Sequence, residues 1–107
     1  MDQLAILERL TAVIESRKGE DPGSSYVARL LAKGRLKMAQ KVGEEGVEVA
    51  IAAAAGSRDD MVSESADLLF HLMVLLASEG LSLTEVAAAL AEREGLSGLE
   101  EKASRHD

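Results

Sequence analysis

Apolar residues recur at helical spacing from the start of the chain. Leu4, Leu7, Leu10 and Ile14, with Ile6 and Val13 beside them, form one stripe, and Glu8, Arg9 and Glu15 lie off it. The pattern predicts an amphipathic helix over about residues 2–17. Gly19-Glu20-Asp21-Pro22-Gly23-Ser24 is turn chemistry and ends it. Ser24 or Ser25 can then cap a short helix through Ala32 that buries Val27, Leu30 and Leu31 and stops at Gly34. A longer helix is predicted over about 35–55, its apolar side formed by Ala39, Val42, Val49, Ala50 and Ala53 and placed opposite an acidic sector. Gly43 and Gly46 each weaken that helix by roughly 1 kcal/mol relative to alanine. Close approach of another helix or a ligand is one use for them; neutral drift is the other reading.

Ser57-Arg58-Asp59-Asp60 has capping-box spacing, serine followed three later by a carboxylate, and opens a fourth helix to about Ser78. Its second half, Leu68 to Ala77, is apolar nearly all round and is interrupted only by His71. That run is too short to cross a bilayer, yet it must be covered on every side. The remaining helices of so short a chain can barely do so, and a homodimer is the expected remedy. Ser82-Leu83-Thr84-Glu85 opens a fifth helix through about Glu94, with Val86, Leu90 and the alanines turned inward, and Gly95 terminates it. The expected architecture is one all-α domain of about five helices over residues 1–95, packing as a helical-bundle homo-oligomer. A polar tail over 96–107 is expected to fray.

Composition narrows the function. Among 107 residues, 47% are hydrophobic, and only Tyr26 and Phe70 are aromatic, which favours close helix packing over sheets. The formal net charge of -7 argues against nucleic-acid binding driven by a basic surface. An anionic nucleotide can still bind if a divalent cation mediates the contact. No cysteine is present, so disulfides, thiolate nucleophiles and cysteine-based zinc sites are excluded. The start, Met1-Asp2-Gln3, lacks the basic and apolar segments of a signal peptide, and a cytoplasmic protein is expected.

Two acidic stretches carry the candidate chemistry. In Lys41-Val42-Gly43-Glu44-Glu45-Gly46-Val47-Glu48, stepping about 100° per residue puts Glu44, Glu45 and Glu48 within about 100° of arc. Lys37 and Lys41 share that sector. In Glu64-Ser65-Ala66-Asp67 the two carboxylates, three apart, share a face. A short turn joins the two helices, so both faces can meet. Five gathered carboxylates call for a compensating cation, and an all-oxygen donor set suits Mg²⁺ or Mn²⁺ rather than zinc. A solvated acidic face is the competing account. Asp67 tilts the balance, because it stands at the threshold of the apolar half of its helix, where an unpaired carboxylate would be costly. A salt bridge or an exposed position would also relieve it. His71, one turn beyond Asp67, can be a ligand or a packed histidine donating to Asp67. Ser25 and Tyr26 can be a simple cap and a buried ring.

The stretches Ser25-Tyr26-Val27-Ala28-Arg29-Leu30-Leu31, Gln40 to Val49 and Glu64 to Leu72 together resemble the phosphoribosyl-ATP pyrophosphatase family, over roughly residues 4–95. The looser Glu-Glu-x-x-Glu plus Glu-x-x-Asp pattern is similar to the wider MazG-like and dimeric dUTPase proteins. The resemblance implies Mg²⁺-dependent hydrolysis of phosphoribosyl-ATP to phosphoribosyl-AMP and pyrophosphate, the second step of histidine biosynthesis, by a helical homodimer. It makes Glu44, Glu45, Glu48, Glu64 and Asp67 the metal-site carboxylates, with Glu45 or Glu48 as the base that activates water. Ser25, Tyr26, Lys37 and Lys41 become substrate contacts. Gly46 departs from the family, where alanine is more usual. A house-cleaning pyrophosphatase acting on non-canonical triphosphates, and a non-catalytic helical dimerisation module, are the rival readings.

Overall fold

The computed structural model describes residues 2–95, all of whose regular structure is helical: α1 (Ala5–Ser16), α2 (Tyr26–Lys33), α3 (Arg35–Ala55), α4 (Arg58–Ser78) and α5 (Leu83–Gly95). The tail expected over 96–107 lies outside the described residues. The helix boundaries follow from local chemistry. Ser25 caps α2 by accepting from the Ala28 N–H at 3.0 Å. Gly34, at φ 94°, turns the chain from α2 into α3 through a conformation that favours glycine. The Ser57–Asp60 capping box is complete: Ser57 Oγ accepts from the Asp60 N–H at 3.1 Å, and Asp60 Oδ2 accepts from the Ser57 N–H at 3.0 Å. At α5 the box is rearranged, with the Ser82 N–H and hydroxyl both donating to Glu85 Oε1 at 2.8 and 2.9 Å, while Ser82 Oγ accepts from Thr84.

The α3–α4 pair dominates the packing, and α4 also meets α1 and α2. Two 21-residue helices joined by only Gly56 and Ser57 form an antiparallel hairpin, so Glu45 stands opposite Glu64. Ile14, Val27, Leu30, Met38, Met73, Val74 and Ala77 make the core, and Phe70 packs on its edge. As expected, Val27 and Leu30 of α2 are buried.

Three side-chain placements differ from the sequence reading. At α1, the N-cap Leu4 and the helical Ile6 and Val13 are exposed, and only Ile14 is fully buried. On α5, Leu90 is 51% exposed, because this helix docks on the core mainly through Leu83. The third concerns α3. Its buried residues are Met38 and Ala52, each seven positions from Glu45, and Val42 and Val49 beside them are half-buried. The packed line thus takes in Glu45 at the edge of the acidic sector and only part of the expected apolar side. Ala39, Ala50 and Ala53 face outward, as do Leu36, Val47 and Ile51. Helix α3 is apolar on two sides, and the hairpin uses only one of them.

Candidate functional site

The seam of the α3–α4 hairpin gathers carboxylates. Oxygens of Glu45, Glu64 and Asp67 all lie within 4.8 Å of one another. Glu45 is held inward: its side chain is 13% exposed, and its carboxylate pairs with Lys41 Nζ at 3.7 Å. Lys41 also reaches Glu44, at 3.8 Å. Glu44 itself turns outward and accepts from Gln40 Nε2 at 2.9 Å, which keeps it out of the three-carboxylate group. Glu48 is likewise outside that group but faces the same seam. With Ile51, Ala52, Ala55, Gly56, Asp60 and Glu64 it lines an open cleft of about 220 Å³ beside the carboxylates. Lys37 is exposed on the same sector of α3, about one turn before Lys41.

The electrostatics converge on Glu64. Its carboxyl is held above the ordinary 4.5, first by partial burial and then by the negative charges of Asp67, Glu48, Glu45 and Asp60. Asp67 is exposed, so the desolvation expected from its place in the sequence is absent. It draws attention through its neighbours instead. Two carboxylates and this third one share a patch in which Lys41 is the one basic partner recorded among the described residues.

The donor set fits a hard divalent cation. All three groups offer oxygen, and a metal–oxygen distance of about 2.1 Å places opposite ligands about 4.2 Å apart in an octahedron. The three carboxylates, with oxygens within 4.8 Å of one another, are close enough to converge on one cation. Nitrogen is not on offer, because both nitrogens of His71 are engaged elsewhere. Its Nδ1–H donates to the main-chain carbonyl of Asp67 at 2.7 Å, and its Nε2 lies 3.0 Å from the Tyr26 hydroxyl. His71 is therefore the packed histidine, donating to the Asp67 backbone rather than its carboxylate. Tyr26 is 42% exposed, not a buried ring, and lies 6.0 Å from Phe70 in a near-parallel stack. Ser25 serves as the α2 cap. The link between Tyr26 and His71 spans 45 residues and leaves no periodic trace in the sequence.

Gly43 and Gly46 have open space where a side chain would begin, so among the described residues no helix uses them for close approach. Helix α4, with a mean hydropathy of 1.4 over its most apolar window, is long and apolar enough to cross a membrane, a property shared by core helices. Here it carries Glu64 and Asp67 and packs on three other helices.

An all-α chain with a carboxylate group in the seam of a helical hairpin defines a class of helical proteins equipped for divalent cations. Within that class the chain belongs to the phosphoribosyl-ATP pyrophosphohydrolase family, whose sequence model matches residues 7–94. It is 60% identical over 101 residues to the phosphoribosyl-ATP pyrophosphatase of Erythrobacter litoralis, covering 94% of this chain and 97% of that one. It is 58% identical over 105 residues to the protein of that name from Novosphingobium aromaticivorans, covering 98% of each. A third protein of that name, from Rhizorhabdus wittichii, is 57% identical over 99 residues.

Proposed function

We propose that this chain hydrolyses phosphoribosyl-ATP to phosphoribosyl-AMP and pyrophosphate, in the cytoplasm, as a Mg²⁺-dependent homodimer whose protomer is the single domain over residues 1–95. The observation that carries the reading is the grouping of Glu45, Glu64 and Asp67 in the hairpin seam of a member of this family. These three would hold Mg²⁺, which when bound neutralises polyphosphate charge and acts as a Lewis acid. Without a cation, a chain of net charge -7 would repel so anionic a substrate. Glu48 stands on the cleft wall outside the three-carboxylate group, and so keeps its oxygens for a water. Of the two candidate bases, it is the one left free to orient that water and take its proton. Glu44 buttresses Lys41. Lys41 and Lys37 supply positive charge for the departing phosphates, and the Ser25–Tyr26 end of α2 contributes to the substrate side.

The dimer is supported by what one chain leaves uncovered. Leu36 is 82% exposed, Val47 58% and Ile51 53%, all on the outer side of α3, and Val62 of α4 is 71% exposed. Apolar patches of this kind mark contact surfaces.

The direct test is pyrophosphate release from phosphoribosyl-ATP with and without Mg²⁺, beside ATP and dUTP. Release confined to phosphoribosyl-ATP and dependent on metal is expected. Preference for dUTP or another free triphosphate would move the chain to the house-cleaning class, and silence on every substrate would overturn the catalytic reading. Glu48→Gln separates base from ligand: turnover should fall by about 10²–10⁴ while Mg²⁺ still raises the melting temperature.

A further inference from the structure

The Tyr26–His71 link joins two parts of the site that lie 45 residues apart. His71 is 7% exposed, and each ring nitrogen has one partner. The Asp67 carbonyl can only accept, so Nδ1 carries the proton. In the neutral ring Nε2 is then an acceptor, and the Tyr26 hydroxyl donates to it. The ring is wedged edge-on against both aromatics, with centroids 5.2 Å from Phe70 and 5.9 Å from Tyr26. The guanidinium of Arg29 lies over the Tyr26 ring at 5.7 Å. Tyr26 is the first residue of α2, immediately after the Ser25 cap. Asp67 is one of the three grouped carboxylates.

We infer that His71 is a positioning residue: it clamps the Ser25–Tyr26 end of α2 to the turn of α4 that bears Asp67, and so fixes the substrate side of the site relative to the metal side. The inference rests on the proposed function. It changes the part given to Tyr26, whose hydroxyl is committed to His71 and does not face substrate. His71 does not touch the reacting atoms.

The test is a double-mutant cycle between Tyr26→Phe and His71→Asn, with His71→Gln as the conservative variant. Asparagine can keep a donor near the Nδ1 position but does not reach Tyr26, whereas glutamine extends to the Nε2 position. Loss of one neutral hydrogen bond should raise KM for the nucleotide about fivefold in either single variant. The double variant should be no worse than the poorer single, kcat should change little, and His71→Gln should recover most of the loss. The Mg²⁺-dependent rise in melting temperature should be kept throughout, because the three carboxylates are untouched. Additive effects, or unchanged KM in Tyr26→Phe, would overturn the inference. A second readout is independent of turnover. Imidazole ¹⁵N spectra should show His71 protonated at Nδ1, with Tyr26→Phe shifting only Nε2; an Nε2–H tautomer, or no response to Tyr26→Phe, would also overturn it. Failure of wild-type turnover with the expected spectra would overturn the proposed function and the positioning role together, while leaving the hydrogen bond in place. Normal turnover with the wrong tautomer would sink the clamp alone.

Discussion

The glycine that follows α3 and one within it should respond to alanine with opposite signs. Gly56 ends the helix at φ -102°, a conformation open to any residue, so the cost of a side chain there is purely one of space. A Cβ would lie 2.8 Å from Asp60 Oδ2, 3.0 Å from the Ala52 carbonyl oxygen and 3.2 Å from Ala52 Cα. The Ala52 atoms are helix backbone and cannot step aside. Asp60 can, but only by giving up its bond to the Ser57 N–H. Losing that cap costs about 1 kcal/mol, and the remaining crowding about 1–3 kcal/mol. A stiffer unfolded chain returns about 0.4–1 kcal/mol. The net expectation for Gly56→Ala is a loss of about 2 kcal/mol, or roughly 8–16 °C in Tm for a domain of this size. Gly46 has nothing within 4 Å of its Cβ position, so Gly46→Ala gains the full propensity difference of about 1 kcal/mol. That raises Tm by roughly 4–8 °C and leaves Glu45 and Glu48 in register. Thermal and urea unfolding followed by circular dichroism, without metal, measures both. A Gly56→Ala protein as stable as wild type would refute the crowding argument, and a destabilised Gly46→Ala would mean that something outside the described residues occupies the space.

Glu64→Gln removes a charge from a crowd of carboxylates, so it should raise the metal-free melting temperature at neutral pH. It should also abolish the Mg²⁺-dependent rise, which in wild type reaches about 2.7 kcal/mol at a metal concentration one hundred times Kd; a variant that keeps the full rise would remove Glu64 from the metal site. The pH dependence follows from two groups with opposite shifts. The raised Glu64 carboxyl binds its proton more tightly folded than unfolded, so metal-free stability should gain its contribution as pH falls through the raised value toward 4.5. Glu85, held below 4.5 by the Ser82 N–H first, stabilises above 4.5 and should lose its contribution as pH falls through the depressed value. Glu64→Gln should flatten the upper limb and Glu85→Gln the lower, read from melting temperature across pH. Val47→Asp places a charge in the uncovered face of α3, and sedimentation should show the dimer dissociating; a wild-type protein that sediments as a monomer would refute the dimer outright.

The hairpin was legible because its punctuation is local. Gly34, Gly56 and the Ser57–Asp60 box mark the ends of α3 and α4 without reference to the rest of the chain. A connection of two residues then leaves one way to lay the helices together, and it brings Glu45 onto Glu64 and Asp67. Other features depend on competition that spacing does not reveal. Glu44 shares the acidic sector, yet Gln40 one turn earlier offers it a partner and draws it outward. Leu90 and Val13 have helical periodicity but are largely uncovered by the described residues of their own chain. The Tyr26–His71 contact is set by how α2 lies on α4, a tertiary fact.

The misread face of α3 carries the most information about function. Hydrophobic periodicity assigns the packed side of a helix to its apolar residues, here Ala39, Val42, Val49, Ala50 and Ala53. The fold packs the line Met38–Glu45–Ala52 against α4 with Val42 and Val49 half-buried beside it, and leaves Ala39, Ala50 and Ala53 outward with Leu36, Val47 and Ile51. Putting a carboxylate on the packing line conflicts with the ordinary rule for a stable helix pair, and the facing Glu64 carboxyl is raised, first by partial burial and then by the neighbouring carboxylates. Conflicts of this kind concentrate where a site must be built. A cation between the helices would turn the repulsion into attraction and tie α3 to α4 at its most frustrated point. The exposed apolar side then has its own demand for cover, which the second protomer of the proposed dimer would meet. Both departures from simple patterning thus trace to one decision of the fold, to place Glu45 inside the hairpin.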